Sequence, residues 1–426
     1  MIKKNNILNK YFLLIFLLLF ISGNVVCFVV FGPYAPALSI ILIYSILGVK
    51  EVNSVLYDPV FSVLFKKIVW FILFLTFFQL LVLGQVSLLG NINIILKIFV
   101  GGFIMFYFRE NFPKYFFDVI YKLSIISLVF FFVVNILKIN LPYLQLEEVT
   151  HHYFVYNTSF DRHWYKNHGM FWEPGAHAGI LTLCLALNAH RFLYLLKNEK
   201  NKIITIALTL LTTQSTTGFL IFFVLVIVFF IELKNYFMIA FIFPFVILGA
   251  IVAYQTIPFL KDKVESQLNG SDEDFGDNQL NNTRFGSFEF DAYYIVKHPL
   301  VGNGLIEATR YADHLFLFKG KGQSSDSLGN GNGFSNSMAS MGIPFVFGYF
   351  ILLYRNSRKT NKLKYWLIVT VVFMDLWGEQ WLNFPLFIGL PFLYFDKEKN
   401  KNIIPEIIKS SLVNKMYVTN PKYTIK

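Results

Sequence analysis

Charge is scarce in this chain. Only 15% of its 426 residues are Asp, Glu, Lys or Arg, against about 25% in an ordinary soluble domain. With 55% hydrophobic residues and a mean hydropathy of +0.54, there is too little polar surface for a soluble enzyme. The same composition excludes intrinsic disorder. Cysteine is nearly absent. Cys27 and Cys184 both fall inside apolar runs, so the chain has no disulfide scaffold and no cysteine metal pair. Internal repeats and heptad arrays are also missing, and low complexity is confined to the Gly/Ser/Asn stretch 320–337.

What is present in quantity is Phe, 50 residues of it, in apolar runs near the length that crosses a bilayer as a helix. The runs predict an all-α polytopic membrane protein with about twelve transmembrane helices and two large outer-face loops. The spans are 11–31, 34–49, 68–88, 92–108, 116–137, 174–196, 202–214, 216–232, 236–257, 334–354, 365–381 and 382–395. Lys3, Lys4 and Lys10 precede the first run as in a signal peptide. That run is longer than a signal core of about 7–15 residues and lacks a small-x-small site after it, so it is read as a span.

The basic residues test this topology. With both termini in the cytoplasm, 26 of the 37 Lys and Arg fall in inner segments, as the positive-inside rule requires. The net charge of +11 is then explained by orientation, and no nucleic-acid partner is called for. Residues 203–213 alone rise only about 16 Å against about 30 Å of hydrocarbon. Making 203–231 one helix would move the basic stretch 355–364 and the basic tail outside. The charge pattern therefore favours two crossings with a break at Thr212-Thr213-Gln214-Ser215-Thr216-Thr217-Gly218. A polar break at membrane depth survives only where protein buries it or it lines a wet cavity.

The organisation that follows is a five-helix region 1–137, a first outer loop 138–173, central helices 174–257 containing the break, a second outer loop 258–333, C-terminal helices 334–395 and a basic cytoplasmic tail 396–426. Polar chemistry concentrates on the outer face, where seven of the eight His fall in or beside the two loops. The first loop runs through Arg162, His163, Trp164 and His168 into Trp172-Glu173-Pro174-Gly175. Pro suits a first helical turn and Glu suits the positive end of a helix dipole. Capping explains Glu-Pro-Gly but not the Arg and His beside it. The second loop carries Arg284, an amphipathic stretch 287–296 with Phe288, Ala292 and Ile295 at helical spacing, and then His298-Pro299-Leu300-Val301-Gly302-Asn303-Gly304. A short helix along the membrane is expected there, stopped by Pro299. Gly302-x-Gly304 lacks the Lys-Ser/Thr of a phosphate loop.

Two Arg at the outer rim suit the oxygens of a pyrophosphate at headgroup depth. The aromatics around them suit sugar rings, and a carboxylate or His nearby suits proton transfer from a hydroxyl. Asp375 and Glu379 share a helical face four residues apart, flanked by Trp377 and Trp381 like an interfacial belt, so a site and snorkelling are equal readings. Arg310 and His314, also four apart, are candidate substrate contacts. His151, His152, His163, His168 and His177 fit no usual ligand spacing, so no metal and no cofactor are expected. His168 and His177 are expected to line a cavity.

Arg162 followed by His168-Gly169-Met170-Phe171-Trp172-Glu173-Pro174-Gly175 resembles the Arg…Gly-x-Phe-x-Glu-Pro-Gly signature of bacterial O-antigen and capsular polysaccharide polymerases. The Thr/Ser break at 212–218, Arg284 with His298 to Gly304, and Asn332-Gly333-Phe334-Ser335-Asn336 are similar to later segments of that family, in the same order. The resemblance runs from about 160 to 395. It implies a glycosyltransferase-C-like membrane fold in the bacterial cytoplasmic membrane, needing no nucleotide sugar. A growing glycan would pass from undecaprenyl diphosphate to the next lipid-linked repeat unit, with a flippase and a chain-length regulator as possible partners. It implies that Arg162 and Arg284 hold the donor diphosphate and that Glu173 orients the site or acts as base. His298, Asn303 and Asn336 would shape the substrate side. The related ligases carry a His near the start of the span after the large loop, where this chain has Ser335 and Asn336, which favours a polymerase. A ligase, a transporter of lipid-linked sugar and a non-catalytic envelope partner are the competing readings.

Overall fold

A computed structural model describes residues 2–146, 149–153, 155–159, 165–232, 284–305, 332–357 and 362–393, with the single positions 237, 244, 248, 255 and 310. The first half is helical: α1 (Ile2–Phe20), α2 (Ala35–Leu47), α3 (Val49–Leu56), α4 (Pro59–Leu83), α5 (Leu88–Phe108) and α6 (Phe112–Phe130). Then come α7 (Pro174–Leu187), α8 (Phe192–Asn198), α9 (Lys200–Thr213) and α10 (Thr216–Glu232). The outer-loop helix α11 (Arg284–Lys297) precedes α12 (Gly333–Met341), α13 (Ile343–Ser357), α14 (Lys362–Gly378) and the single turn α15 (Pro385–Ile388).

The fold is that of a helical membrane protein. Among the described residues, Cys27–Leu47, Pro59–Leu83 and Leu88–Ile136 are long and apolar enough to cross a bilayer. The last of these contains α5 and α6, joined by a turn at Arg109–Asn111. Pro174–Leu187 and Ala189–Asn198, bent by 48°, make a fourth if taken together. The span expected at 236–257 lies almost wholly outside the described residues.

Three differences from the expected spans have local causes. The first run, 11–31, is not one helix. α1 stops at Phe20, and a new helical run starts at Cys27. Between them Asn24 donates to the Met170 carbonyl at 3.0 Å and accepts from the Val26 amide at 3.0 Å. The Ser22 hydroxyl accepts from the Leu386 amide at 2.9 Å. These bonds satisfy a backbone break that lipid would not tolerate.

The expected last span, 382–395, is likewise broken. It holds the turn Trp381–Asn383, α15 and the turn Leu390–Phe392, interrupted by Pro385, Gly389 and Pro391. None of these pieces is long enough to cross. The segment is buried in protein instead, against the glycine pair of α5. A Cβ at Gly101 would stand 1.8 Å from the Pro385 carbonyl oxygen, and one at Gly102 would stand 2.6 Å from the Phe392 ring. Small residues allow backbones to approach this closely inside membranes.

The third difference is a small sheet in the first outer loop, where an all-α fold was expected. β1 (Leu144–Leu146), β2 (Val149–His152) and β3 (Tyr156–Ser159) form an antiparallel meander. His151 and His152 are buried in it. The His151 ring pairs with the Asn157 side chain, and Pro142 offers its carbonyl to His152 at 3.2 Å. Burial is the main cause holding both imidazoles below their usual value of 6.5. The unfolded chain therefore binds these protons more readily than the folded one, and folding stability must rise with pH through this range. The sheet is expected to keep its stability above about pH 6.5 and lose it as pH falls. Hydrogen exchange of peptides covering 144–159 at pH 7.5 and pH 5 would show this, with faster exchange at pH 5. Equal protection after correction for intrinsic rates would sink the expectation.

Candidate active site

The site is built where several breaks meet. α9 ends at Thr213, Gln214 takes a left-handed conformation (φ 50°), and α10 restarts at Thr216. The short hydroxyl side chains make this break possible. Ser215 accepts from the Gly218 amide at 3.2 Å, and Thr213 accepts from the Ser215 amide at 3.3 Å. Gly218 lets α10 lie close to α7, because a Cβ there would stand 2.6 Å from the Ala178 methyl.

Ser215, Thr217 and Gly218 line a small cavity together with Gly175, Arg284, Asp375, Gly378, Glu379 and Trp381. Two helices bring their first turns to it, α7 through Gly175 and α10 through Thr217 and Gly218, and α11 contributes the Arg284 side chain. Helix N-termini carry partial positive charge and unsatisfied N–H groups, and so favour an anion.

Arg284 reaches across to the end of α14. One guanidinium nitrogen donates to the Gly378 carbonyl, and the other lies 3.5 Å from Glu379 Oε1. The absence of a side chain at Gly378 lets the guanidinium lie over it. A Cβ there would stand 3.0 Å from Arg284 and 3.5 Å from Thr217. Glu173 occupies the N-cap position of α7 in extended conformation and makes no capping bond to its helix. Its Oε1 is buried without a hydrogen-bond partner. A Cβ at Gly175 would stand 3.2 Å from Glu379 Oε1 and 3.3 Å from Glu173 Oε1. The two carboxyl groups therefore face one another over this glycine, with Arg284 at the side.

The segment leading to Glu173 is held from several directions. Asn167 accepts from the Ser127 hydroxyl at 2.5 Å and donates to the Thr212 hydroxyl at 2.9 Å. Its own amide donates to the Thr212 carbonyl at 3.0 Å. Asn157 donates to the Phe171 carbonyl at 2.9 Å. The polar break is thus wired directly to the Glu-Pro-Gly turn. Beneath it, Trp172 stacks on Phe384 with ring centroids 4.9 Å apart and packs on Trp381 at 5.2 Å.

Of the residues singled out from sequence, Glu173 and Arg284 are brought together here. Arg162 and His314 lie outside the described residues. His168 and His177 are buried but belong to the packing behind the turn and not to the cavity wall. The His177 ring lies 3.3 Å from the Asn167 carbonyl and packs on Phe171 and under Gly169.

Arg310 is also not a cavity residue. It is 2% exposed and donates to the Gly304 carbonyl at 3.0 Å, to Ser340 at 2.8 Å and to the Asn336 side chain. Asn336 is thereby engaged in clamping the second loop. Asn303 does the same, donating to the Tyr294 and Ala339 carbonyls at 2.9 Å each. His298 ends α11 half-buried, and burial and then Lys297 hold its imidazole below the usual value.

α11 itself buries Ser287, Phe290, Asp291 and Tyr294, while Phe288, Ala292 and Ile295 remain half-buried. Its buried face meets the small polar face of α12, where Ser335 donates to Asp291 at 2.6 Å. Protein contact, not lipid, sets its orientation.

For Asp375 and Glu379 the sequence leaves a site and snorkelling as equal readings, and both line the cavity. Asp375 is 2% exposed and Glu379 faces Glu173 and Arg284. Trp381, expected at the interface, is wholly buried. Their i,i+4 spacing beside a Trp was the available signal. Comparison with protein-family models and with curated proteins gives no match to this chain.

Proposed function

We propose that the protein is a membrane glycosyltransferase that elongates a polysaccharide from lipid-linked repeat units on the outer face of the bacterial cytoplasmic membrane. The observation that supports this reading best is one juxtaposition. The first turns of α7 and α10 and the Arg284 guanidinium line a cavity at whose edge the carboxyls of Glu173 and Glu379 face one another. The positive ends suit the diphosphate of an undecaprenyl carrier. The carboxyls suit an attacking hydroxyl.

In the proposed reaction, an acceptor hydroxyl oxygen bonds to the anomeric carbon of the donor glycan. The bond from that carbon to the diphosphate oxygen breaks, and undecaprenyl diphosphate leaves with the electron pair. The hydroxyl proton passes to Glu173, whose carboxyl faces Glu379 across Gly175. Glu379 holds Arg284 in place. Arg162 is the second cation of the proposal. The cavity is small beside such substrates, so it receives the reacting centre while the glycan and the polyprenyl chain extend outside it. Further spans beyond those named above, a glycosyltransferase-C-like fold and cytoplasmic termini are part of the same proposal.

The test is reconstitution in liposomes with lipid-linked repeat units prepared from the host. A ladder of lipid-linked glycans sized by gel and mass spectrometry is expected. No ladder from verified substrate and folded protein would overturn the polymerase reading. Added lipid or protein acceptors would then test a ligase, and a sidedness assay a transporter.

A further inference from the structure

The floor of the cavity holds two polar atoms that the reaction above does not use. Asp375 Oδ2 and Trp381 Nε1 are both buried and both without a hydrogen-bond partner. Asp375 is 2% exposed and Trp381 0%, and both line the cavity. They belong to different elements, α14 and the turn Trp381–Asn383, and meet across Gly179 of α7. A Cβ at Gly179 would stand 3.2 Å from Asp375 Oδ1 and 3.2 Å from Trp381 Nε1. The missing side chain therefore leaves open a space bordered by the Asp375 carboxyl, through Oδ1, and by the indole N–H.

Leaving an acceptor and a donor unpaired in a buried site is costly, and such groups call for an explanation. Neither is displaced from the cavity by looser packing. The Trp381 ring is fixed on Phe387, with centroids 4.3 Å apart at 17°, and on Trp172 at 5.2 Å. The Asp375 carboxyl also has the Thr182 hydroxyl as a hydrogen-bond neighbour, and that hydroxyl donates to the Ala178 and Gly179 carbonyls at 3.0 Å each.

An acceptor and a donor facing one space fit a group that both gives and takes a hydrogen bond. A hydroxyl does so, whereas a phosphate oxygen or an alkyl chain does not. Asp375 lies one helical turn, about 5.4 Å, deeper than Glu379, so the hydroxyl would sit below the carboxyl pair and away from Arg284.

We propose that Asp375 and Trp381 form a subsite for one hydroxyl of the acceptor sugar, the Asp375 carboxyl accepting a hydrogen bond from it and Trp381 Nε1 donating one to its oxygen. This rests on the glycosyltransferase reading and assigns to it the acceptor side. Asp375 and Trp381 bind and do not take part in the bond exchange.

The test uses full-length protein in nanodiscs. The probe is the host's repeat-unit oligosaccharide, released from its lipid and phosphate so that it cannot engage Arg284. Asp375→Asn keeps shape while changing the hydrogen-bonding group, and Trp381→Phe keeps an aromatic ring while removing the N–H. Leu220→Ala, on an exposed position of α10, is the control. Wild type and control are expected to bind alike, and each subsite variant at least tenfold more weakly, with thermal midpoints close to wild type. A second measurement, Gly179→Ala, should weaken binding by filling the shared space.

Unchanged affinity in these variants would overturn the subsite. So would lower thermal midpoints with unchanged affinity, the result expected if the pair only holds a buried water. The two readings fail separately. A ladder from lipid-linked units with unaltered oligosaccharide binding removes the subsite alone. Binding that depends on Asp375 and Trp381 without any ladder removes the polymerase alone.

Discussion

Arg284→Ala should lower the rate of glycan transfer by at least about 100-fold, the range seen when one preorganised donor to a developing anion is removed. Arg284→Lys should recover little of it. The reason lies in how the guanidinium is held. One arm donates to the Gly378 carbonyl and another faces Glu379 Oε1 at 3.5 Å, in a place where a Cβ on Gly378 would stand 3.0 Å from the first arm. A lysine keeps the charge but is a single point, without the fork that reaches both acceptors. Alanine leaves Glu379 facing Glu173 without its cation, which makes the cavity less hospitable to a diphosphate. The side chain of Arg284 is 34% exposed, so solvent screens the pair, and the effect on stability should be small beside the effect on rate. Initial rates from ladder formation in liposomes, with the thermal midpoint of each variant, separate the two. An Arg284→Ala protein that elongates at the wild-type rate would remove Arg284 from the mechanism.

Part of this arrangement was legible from residues alone. Seven consecutive polar or small positions at 212–218 could not continue a membrane helix unsupported, and the chain does break there, with the break lining the cavity. Glu-Pro-Gly marked the start of α7 for capping reasons, and the structure adds that Glu173 leaves its own helix uncapped. The break at Ser22-Gly23-Asn24 was less visible, because only three weakly polar residues interrupt a strongly apolar run. Its stability comes from Met170 and Leu386, 146 and 364 residues away, and local hydropathy contains no trace of such partners. The same limit explains residues 382–393, apolar enough for a span but buried in protein against Gly101 and Gly102. Hydropathy reports that a residue avoids water and does not say whether lipid or protein receives it. For α11, spacing located the helix, while its buried face was decided by Ser335 and Asp291.

Gly333→Ala should be nearly as damaging as the loss of Arg284, although Gly333 carries no reactive group. It opens α12 at the point where that helix is wedged between α11 and the end of α14. A Cβ there would stand 2.0 Å from the Glu379 carbonyl oxygen and 2.6 Å from Gln380 Cα. Both contacts are backbone, so no side-chain rotation relieves them. Neither can the start of α12 retreat freely. The Asn332 side chain accepts from the Ser335 amide at 3.1 Å and donates to the Arg284 carbonyl at 3.4 Å, so a shift of α12 carries Arg284 with it. Relief to ordinary contact requires residues 379 and 380, or Arg284, to move by about an ångström. A displacement of that size at a reacting centre costs roughly 100-fold in rate, and overpacking of this kind typically costs about 1–3 kcal/mol in stability. Gly348→Ala is the matched control, since it lies within α13 with nothing within 4 Å of the added methyl. Removing a helix-interior glycine there should raise stability by up to about 1 kcal/mol and leave transfer unchanged. Ladder rates and thermal midpoints for both variants decide the matter. If Gly333→Ala behaves as Gly348→Ala does, the separation of Glu379 from Arg284 is not what the reaction depends on.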